Sequence, residues 1–146
     1  MGNTAGEVVQ VGALTVRFHV DPDQSDGSVS VFETGAPANA RMPAPHSHDN
    51  FDETVFGLDG VTTFTVAGER IDLHPDESLF ISRGVVHGFS NEGSADARFL
   101  AVISPGLLGS GYFNEVASVL AEGGPPDIER IGEVMRRHGL TPATPG

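Results

Sequence analysis

The chain has 146 residues, 38% of them hydrophobic, with 8 basic against 20 acidic side chains and a formal charge of −12. That length suits one domain with a continuous core, and the negative field, with no basic stripe to offset it, argues against nucleic acid as a partner. Zero cysteines exclude disulfides, thiolate metal sites and a cysteine nucleophile, so any metal must be held by histidine and carboxylate.

Taken from the start, "MGNTAGEVVQVGAL" lacks the basic start and apolar core of a signal peptide. Then "LTVRFHV" alternates, with Leu14, Val16, Phe18 and Val20 on one face and Thr15, Arg17 and His19 on the other. This is the period of a half-buried strand. "DPDQSDGSVSVFETG" reads as a turn cluster followed by a strand near Val29 to Thr34. Three prolines in "APANARMPAPH" forbid a central strand and predict an irregular or edge segment.

Six pieces of strand length follow: "ETVFGL", "VTTFTV", "ERIDL", "SLFIS", "VVHGFS" and "ARFLAVI". "DG", "AG", "HPDE", "RG" and "NEGSAD" separate them with turn chemistry. Short strands without helical period between them predict an antiparallel barrel or sandwich rather than a parallel α/β sheet. The longest aliphatic or aromatic run, Phe99 to Ile103, is far below the ~20 residues of a membrane helix. Without a membrane or export segment, a cytoplasmic location is expected.

The period changes after Pro105. Tyr112, Phe113, Val116, Val119 and Leu120 fall on one helical face, and Gly123 and Gly124 supply the stop. A second helix is predicted from Asp127 as N-cap, with Ile128, Ile131, Val134 and Met135 on one side and Arg136, Arg137 and His138 before Gly139. The two helices are expected on the barrel exterior or its mouth. Sealing one end of the barrel is the simpler role, because an amphipathic face is usually core.

The candidate site begins at "PHSHDNFDETVFGLDG". If His46 and His48 share a strand, the period of two points both imidazoles to one face. Glu53 follows five residues after His48, far enough for the chain to bend and return, and His87 in "ISRGVVHGFSN" can close the group from across a barrel. Alone, "HSH" is more often a solvated polar segment than a metal site, Glu53 a surface carboxylate and His87 a core histidine. Three neutral imidazoles and one carboxylate together suit one divalent transition metal and leave positions open for water, substrate or dioxygen.

These residues resemble the cupin motifs, G-x5-H-x-H-x3–4-E-x6-G and G-x5-P-x-G-x2-H-x3-N. His46, His48, Glu53 and Gly60 match the first; Gly84, His87 and Asn91 match the second. Ala40, Asp76 and Ser82 stand where the motifs carry glycine, glycine and proline, which touches loop geometry more than ligands. The continuation through "SPGLLGSGYF" and two helices is similar to small bacterial single-domain cupins of the quercetin dioxygenase-like type. The resemblance implies an all-β double-stranded β-helix, or jelly roll, spanning roughly residues 7–104, with a C-terminal helical segment over roughly 110–139. It implies a metal (Fe, Mn, Ni, Co or Zn) on His46, His48, Glu53 and His87, with Glu53 also the catalytic base, and a homodimer. "VVQVGALTV" is expected to extend a neighbouring subunit's sheet edge.

Phe51, Phe56, Phe64, Phe80 and Phe89 are candidates for an apolar substrate pocket, although most phenylalanines are plain core. Gly60, Gly68 and Gly84 are expected at turns, and Asn91 is expected to cap one rather than touch a substrate. His19, His74 and His138 are expected to be solvated. The function expected from the resemblance is dioxygenase-type oxidation of an aromatic or enol-bearing small molecule. A non-redox metal-dependent isomerase, cyclase or lyase, and a non-catalytic small-molecule-binding cupin, are the alternatives.

Overall fold

A computed structural model describes residues 6, 8–42 and 44–143. Residues 1–5 and 7 of the stretch on which the export reading rests, and Pro43 of the three prolines, lie outside the described residues. The strands run in chain order as β1 (Val8–Val11), β2 (Leu14–Val20), β3 (Ser30–Ala36), β4 (His46–His48), β5 (Asp52–Asp59), β6 (Thr62–Val66), β7 (Glu69–Leu73), β8 (Ser78–Ile81), β9 (His87–Ser90) and β10 (Ala97–Ser104). Helices α1 (Ser110–Leu120) and α2 (Ile128–Arg137) precede a last short strand, β11 (Leu140–Pro142).

Two antiparallel sheets result, ordered β1-β2-β3-β10-β5-β8 and β11-β4-β9-β6-β7. Both fit the jelly-roll expectation. Alternation decides which side chains go inward: Leu14, Val16 and Phe18 of β2 are buried and Arg17 is exposed. In β10, Ala97, Phe99, Ala101 and Ile103 are buried. The inward residues of both sheets form one core in which Phe18 stacks on Phe32 and Phe99 meets both Phe64 and Phe89 edge-on.

"VVQVGALTV" is not one strand. Gly12, at φ 62°, turns it into the β1–β2 hairpin, with Val8 opposite Arg17 and Val11 opposite Leu14. β1 therefore pairs within its own chain and leaves its outer edge as the sheet margin.

α1 packs on β1 and on α2, and α2 packs on β11. Tyr112, Val116 and Val119 are buried in α1, and Ile131, Val134 and Met135 in α2. Asp127 caps α2 by accepting a hydrogen bond from the backbone N–H of Arg130. Ile128 departs from expectation at 53% exposed: as the first residue of α2 it lies on a turn that overhangs the covered part of the face. No helix among the described residues is long and apolar enough to cross a membrane.

Two histidines expected in solvent are instead partly buried and paired. His19 Nε2 lies 3.0 Å from Glu33 Oε1 across β2 and β3, and His138 contacts the Glu115 carboxylate of α1. Sequence spacing could not place either acid, because each pair closes between separate elements. His74 is exposed and pairs with Glu77 in its own turn.

Candidate metal centre

His46 and His48 lie on β4, whose burial pattern turns both imidazoles into the barrel and leaves Ser47 on the other side. His87 opens β9 directly opposite His46 in the β4–β9 register. Glu53 comes from the other sheet, on β5 opposite Ile103 of β10 and Ile81 of β8. The turn before β9 is tied to β4, since the N–H of Gly84 donates to the carbonyl of His48 at 2.8 Å. Gly84 itself has φ 80°, a left-handed conformation that favours glycine. Asp52 holds the same turn, accepting from the backbone N–H of Arg83 at 2.8 Å and from its guanidinium at 3.1 and 3.2 Å.

Asn91 is a fastener. Its Nδ2 donates to the carbonyls of Ala36 and Ala95, at 2.8 and 2.7 Å, and its Oδ1 accepts from the N–H of Gly93. This agrees with the capping role expected of it. Gly60 also has a backbone reason: at φ 63°, a Cβ there would stand 2.3 Å from the carbonyl oxygen of Asp96.

The ligand-capable nitrogens of His46, His48 and His87 lie within 4.8 Å of one another, and all three residues are buried. Glu53 stands at the edge of this group, with Oε1 3.7 Å from His48 Nε2 and 3.8 Å from His87 Nε2. Nδ1 of His46 lies 3.2 Å from the carbonyl of Ala44, and Nδ1 of His87 lies 3.0 Å from that of Val85. A carbonyl only accepts, so each Nδ1 carries the proton and each Nε2 keeps its lone pair. Burial, reinforced by the neighbouring imidazoles, pushes the His46 pKa well below its usual value. Burial lowers that of His48 to about 3 and also lowers that of His87. All three rings are thus neutral at neutral pH, the form that binds metals. Burial drives the Glu53 carboxyl the other way, up to about 7.

The donor set fits a divalent transition metal. Two imidazoles are locked in the ligating tautomer, and the third, His48, has a buried Nδ1 without a hydrogen-bond partner. The Glu53 carboxylate accepts no hydrogen bond among the described residues, although it is buried. Burying a carboxyl group without a hydrogen-bond partner is costly, and a cation beside it would offset that cost.

The histidines and Glu53 face an inner cavity of about 70 Å³ whose other walls are mainly apolar. Phe64 and Phe89 stand in that wall. Phe51, also expected in the pocket, does not line it: it is buried and stacks on His48, ring centroids 4.5 Å apart, supporting the imidazole. Phe56 and Phe80 do not belong to the pocket: they are 38% and 59% exposed. Glu53 points inward on β5, so the period of two sends Phe56 outward, and Phe80 sits opposite the outward Thr54.

Sequence reasoning missed the contribution of the C-terminal segment. Tyr112, Phe113 and Val116 of α1, Met135 of α2 and Leu140 of β11 all line the cavity. The helices therefore close the end of the barrel that holds the histidines and also shape its interior. The single tyrosine of the chain, placed on an otherwise apolar helical face, was the available signal.

Residues 32–103 match the family described as a cupin domain. Together with the jelly-roll sheets, this shows that the chain belongs to the cupin superfamily. It is 37% identical over 60 residues to the tetracenomycin polyketide synthase protein TcmJ of Streptomyces glaucescens, covering 41% of this chain and 40% of that protein. It is 26% identical over 103 residues to quercetin 2,3-dioxygenase of Bacillus subtilis (strain 168), covering 70% of this chain and 30% of that protein. The chain thus spans well under half the length of either relative. Among solved structures it is similar to the polyketide cyclase RemF of Streptomyces resistomycificus, with TM-score 0.58, 26% identity, and 70% of this chain and 73% of that one covered.

Proposed function

We propose that this protein is a metal-dependent enzyme that oxidises an aromatic or enol-bearing small molecule by dioxygenase-type chemistry, with His46, His48 and His87 as ligands and Glu53 as ligand and proton acceptor. The observation that carries the reading is one buried carboxylate facing two Nε2 atoms, at 3.7 and 3.8 Å, inside an apolar cavity. A divalent ion bound there would lower the pKa of a substrate hydroxyl. Glu53, which lines the same cavity, would receive the released proton, and the lining side chains Phe64, Phe89 and Tyr112 would exclude bulk water and pack on an aromatic ring.

The likenesses to a polyketide synthase protein and a polyketide cyclase favour a second reading, ring closure of a polyketide-like enol without oxygen. The first half of the chemistry is shared: substrate deprotonation at Glu53. Loading the protein with Fe(II), Mn(II), Co(II), Ni(II) or Zn(II) and following oxygen uptake over flavonols and linear polyphenols separates them. Oxygen uptake that disappears in Glu53→Gln supports the oxygenase. Turnover that persists anaerobically and with Zn(II) selects the cyclase, and binding without turnover under any condition refutes both. The chain is further proposed to act as a homodimer, for which the outer edge of β1 is available; a monomeric mass by light scattering at micromolar concentration would refute this.

A further inference from the structure

A cavity of about 70 Å³ takes a reacting head group but not a polycyclic body, since pockets for drug-sized ligands run to roughly 300–1,000 Å³. A second space lies next to it. A groove of about 880 Å³ runs between the β1–β2 turn, β9 and the C-terminal segment. Val11, Met42, His87 and Phe89 line both spaces and so form the wall between them. Met42 is the adaptable part of that wall: an unbranched thioether, half-buried, whose sulfur accepts from the N–H of Phe89 at 3.2 Å.

The groove is largely apolar, with Pro45, Val86, Leu120 and Pro126 among its lining, but Arg41 is there too. Every one of the eight basic residues is an arginine. Arg70, Arg83, Arg98, Arg130 and Arg137 each pair with a carboxylate. Arg41 is exposed and, like Arg17 and Arg136, has no carboxylate within 4.0 Å among the described residues, but of these three it alone lines the groove. Its backbone is held in place, because Arg41 bridges to Ser90 and the N–H of Met42 donates to the carbonyl of Phe89. A guanidinium without a carboxylate partner among the described residues, set on an apolar groove, makes a local cationic point in a chain of charge −12, whose overall field repels anions.

We propose that this groove is the substrate vestibule and that Arg41 selects an aromatic anion, holding its acidic group outside while the head group passes Met42 and Phe89 toward the histidines. The inference rests on the reading of the inner cavity as the reaction site and adds the substrate's charge and the residue that reads it. Guanidinium recognises carboxylate, sulfonate or phenolate oxygen by charge-assisted hydrogen bonds.

The test uses 1-anilinonaphthalene-8-sulfonate and its uncharged counterpart N-phenyl-1-naphthylamine as fluorescent probes of the full chain, with metal content measured on the same samples. Arg41→Gln is expected to weaken sulfonate binding about tenfold and leave the neutral probe unchanged. Arg41→Lys should retain most of the affinity. Arg17→Gln removes the same charge from the exposed face of β2 and should change neither probe. Equal loss of both probes in Arg41→Gln, equal effects of Arg41→Gln and Arg17→Gln, or no sulfonate binding by the wild-type chain would each overturn the proposal. Arg41-dependent binding by a chain that takes up no metal would refute the metal reading and leave the vestibule standing.

Discussion

Replacing His48 with alanine should abolish the thermal stabilisation that divalent metal confers on this protein while leaving the metal-free protein folded. In the metal-free state the substitution has opposing effects. It removes a buried ring stacked on Phe51, 4.5 Å between centroids, which leaves a cavity. It also removes Nδ1, which is buried without a hydrogen-bond partner, and relieving an unsatisfied polar atom recovers about 1–3 kcal/mol. The cavity cost of a large-to-small core change is about 2–5 kcal/mol, so the net loss is on the order of 1–2 kcal/mol. The metal-bound state behaves differently. A ligand present at one hundred times its Kd stabilises the folded state by about 2.7 kcal/mol. At roughly 2–4 °C per kcal/mol for a chain of this size, wild-type protein should gain about 5–11 °C in Tm. The variant should gain almost nothing. Paired thermal melts with and without Fe(II), Mn(II), Co(II), Ni(II) or Zn(II), alongside elemental analysis, give the difference of differences. Equal metal-induced shifts in both proteins, or no shift in wild type with any of the five ions, would refute the site.

Three further outcomes follow from the same geometry. Gly60→Ala should destabilise by at least about 2 kcal/mol in urea denaturation, because left-handed backbone costs a non-glycine residue about 1–2 kcal/mol and its Cβ would stand 2.3 Å from Asp96 O. Gly68→Ala, at φ 81° with nothing within 4 Å of the added atom, should cost only about 1–2 kcal/mol, and a loss as large as that at Gly60 would refute the steric part of the argument. Asn91→Ala strands two carbonyls and one N–H and should cost about 3 kcal/mol; a change below 1 kcal/mol would show that those groups find other partners. Asp52→Ala frees the turn that aims His87 and should weaken metal affinity about tenfold, measured by competition with a chelator, while the Tm of the metal-free protein moves little.

Much of the architecture was legible from local pattern. Strand β2 coincides with the alternating "LTVRFHV", and both helices fall where the period shifts from two to 3.6 residues. His46 and His48 share a face for the same reason, and the turn glycines at positions 60, 68 and 84 all have positive φ. The phenylalanines were less legible, because apolarity alone does not say which face of β5 is inward. Glu53 does, and once its direction is set Phe56 must point out. The pairings of His19 with Glu33 and His138 with Glu115 depend on how separate elements align against one another, which local spacing does not record.

By itself, then, the sequence determined the periodic elements, the turns and the shared face of His46 and His48, because these follow from backbone geometry within a few residues, while Glu53 and His87 joined that pair only through the resemblance of the motifs. Only the tertiary structure decided that Glu53 approaches the histidines from the opposite sheet. It also decided that α1, α2 and β11 close over them, and that Met42 and Phe89 stand between a small inner cavity and an open groove bearing Arg41. Those arrangements are set by which apolar faces bury one another across the barrel, a choice made by long-range packing that no local pattern records.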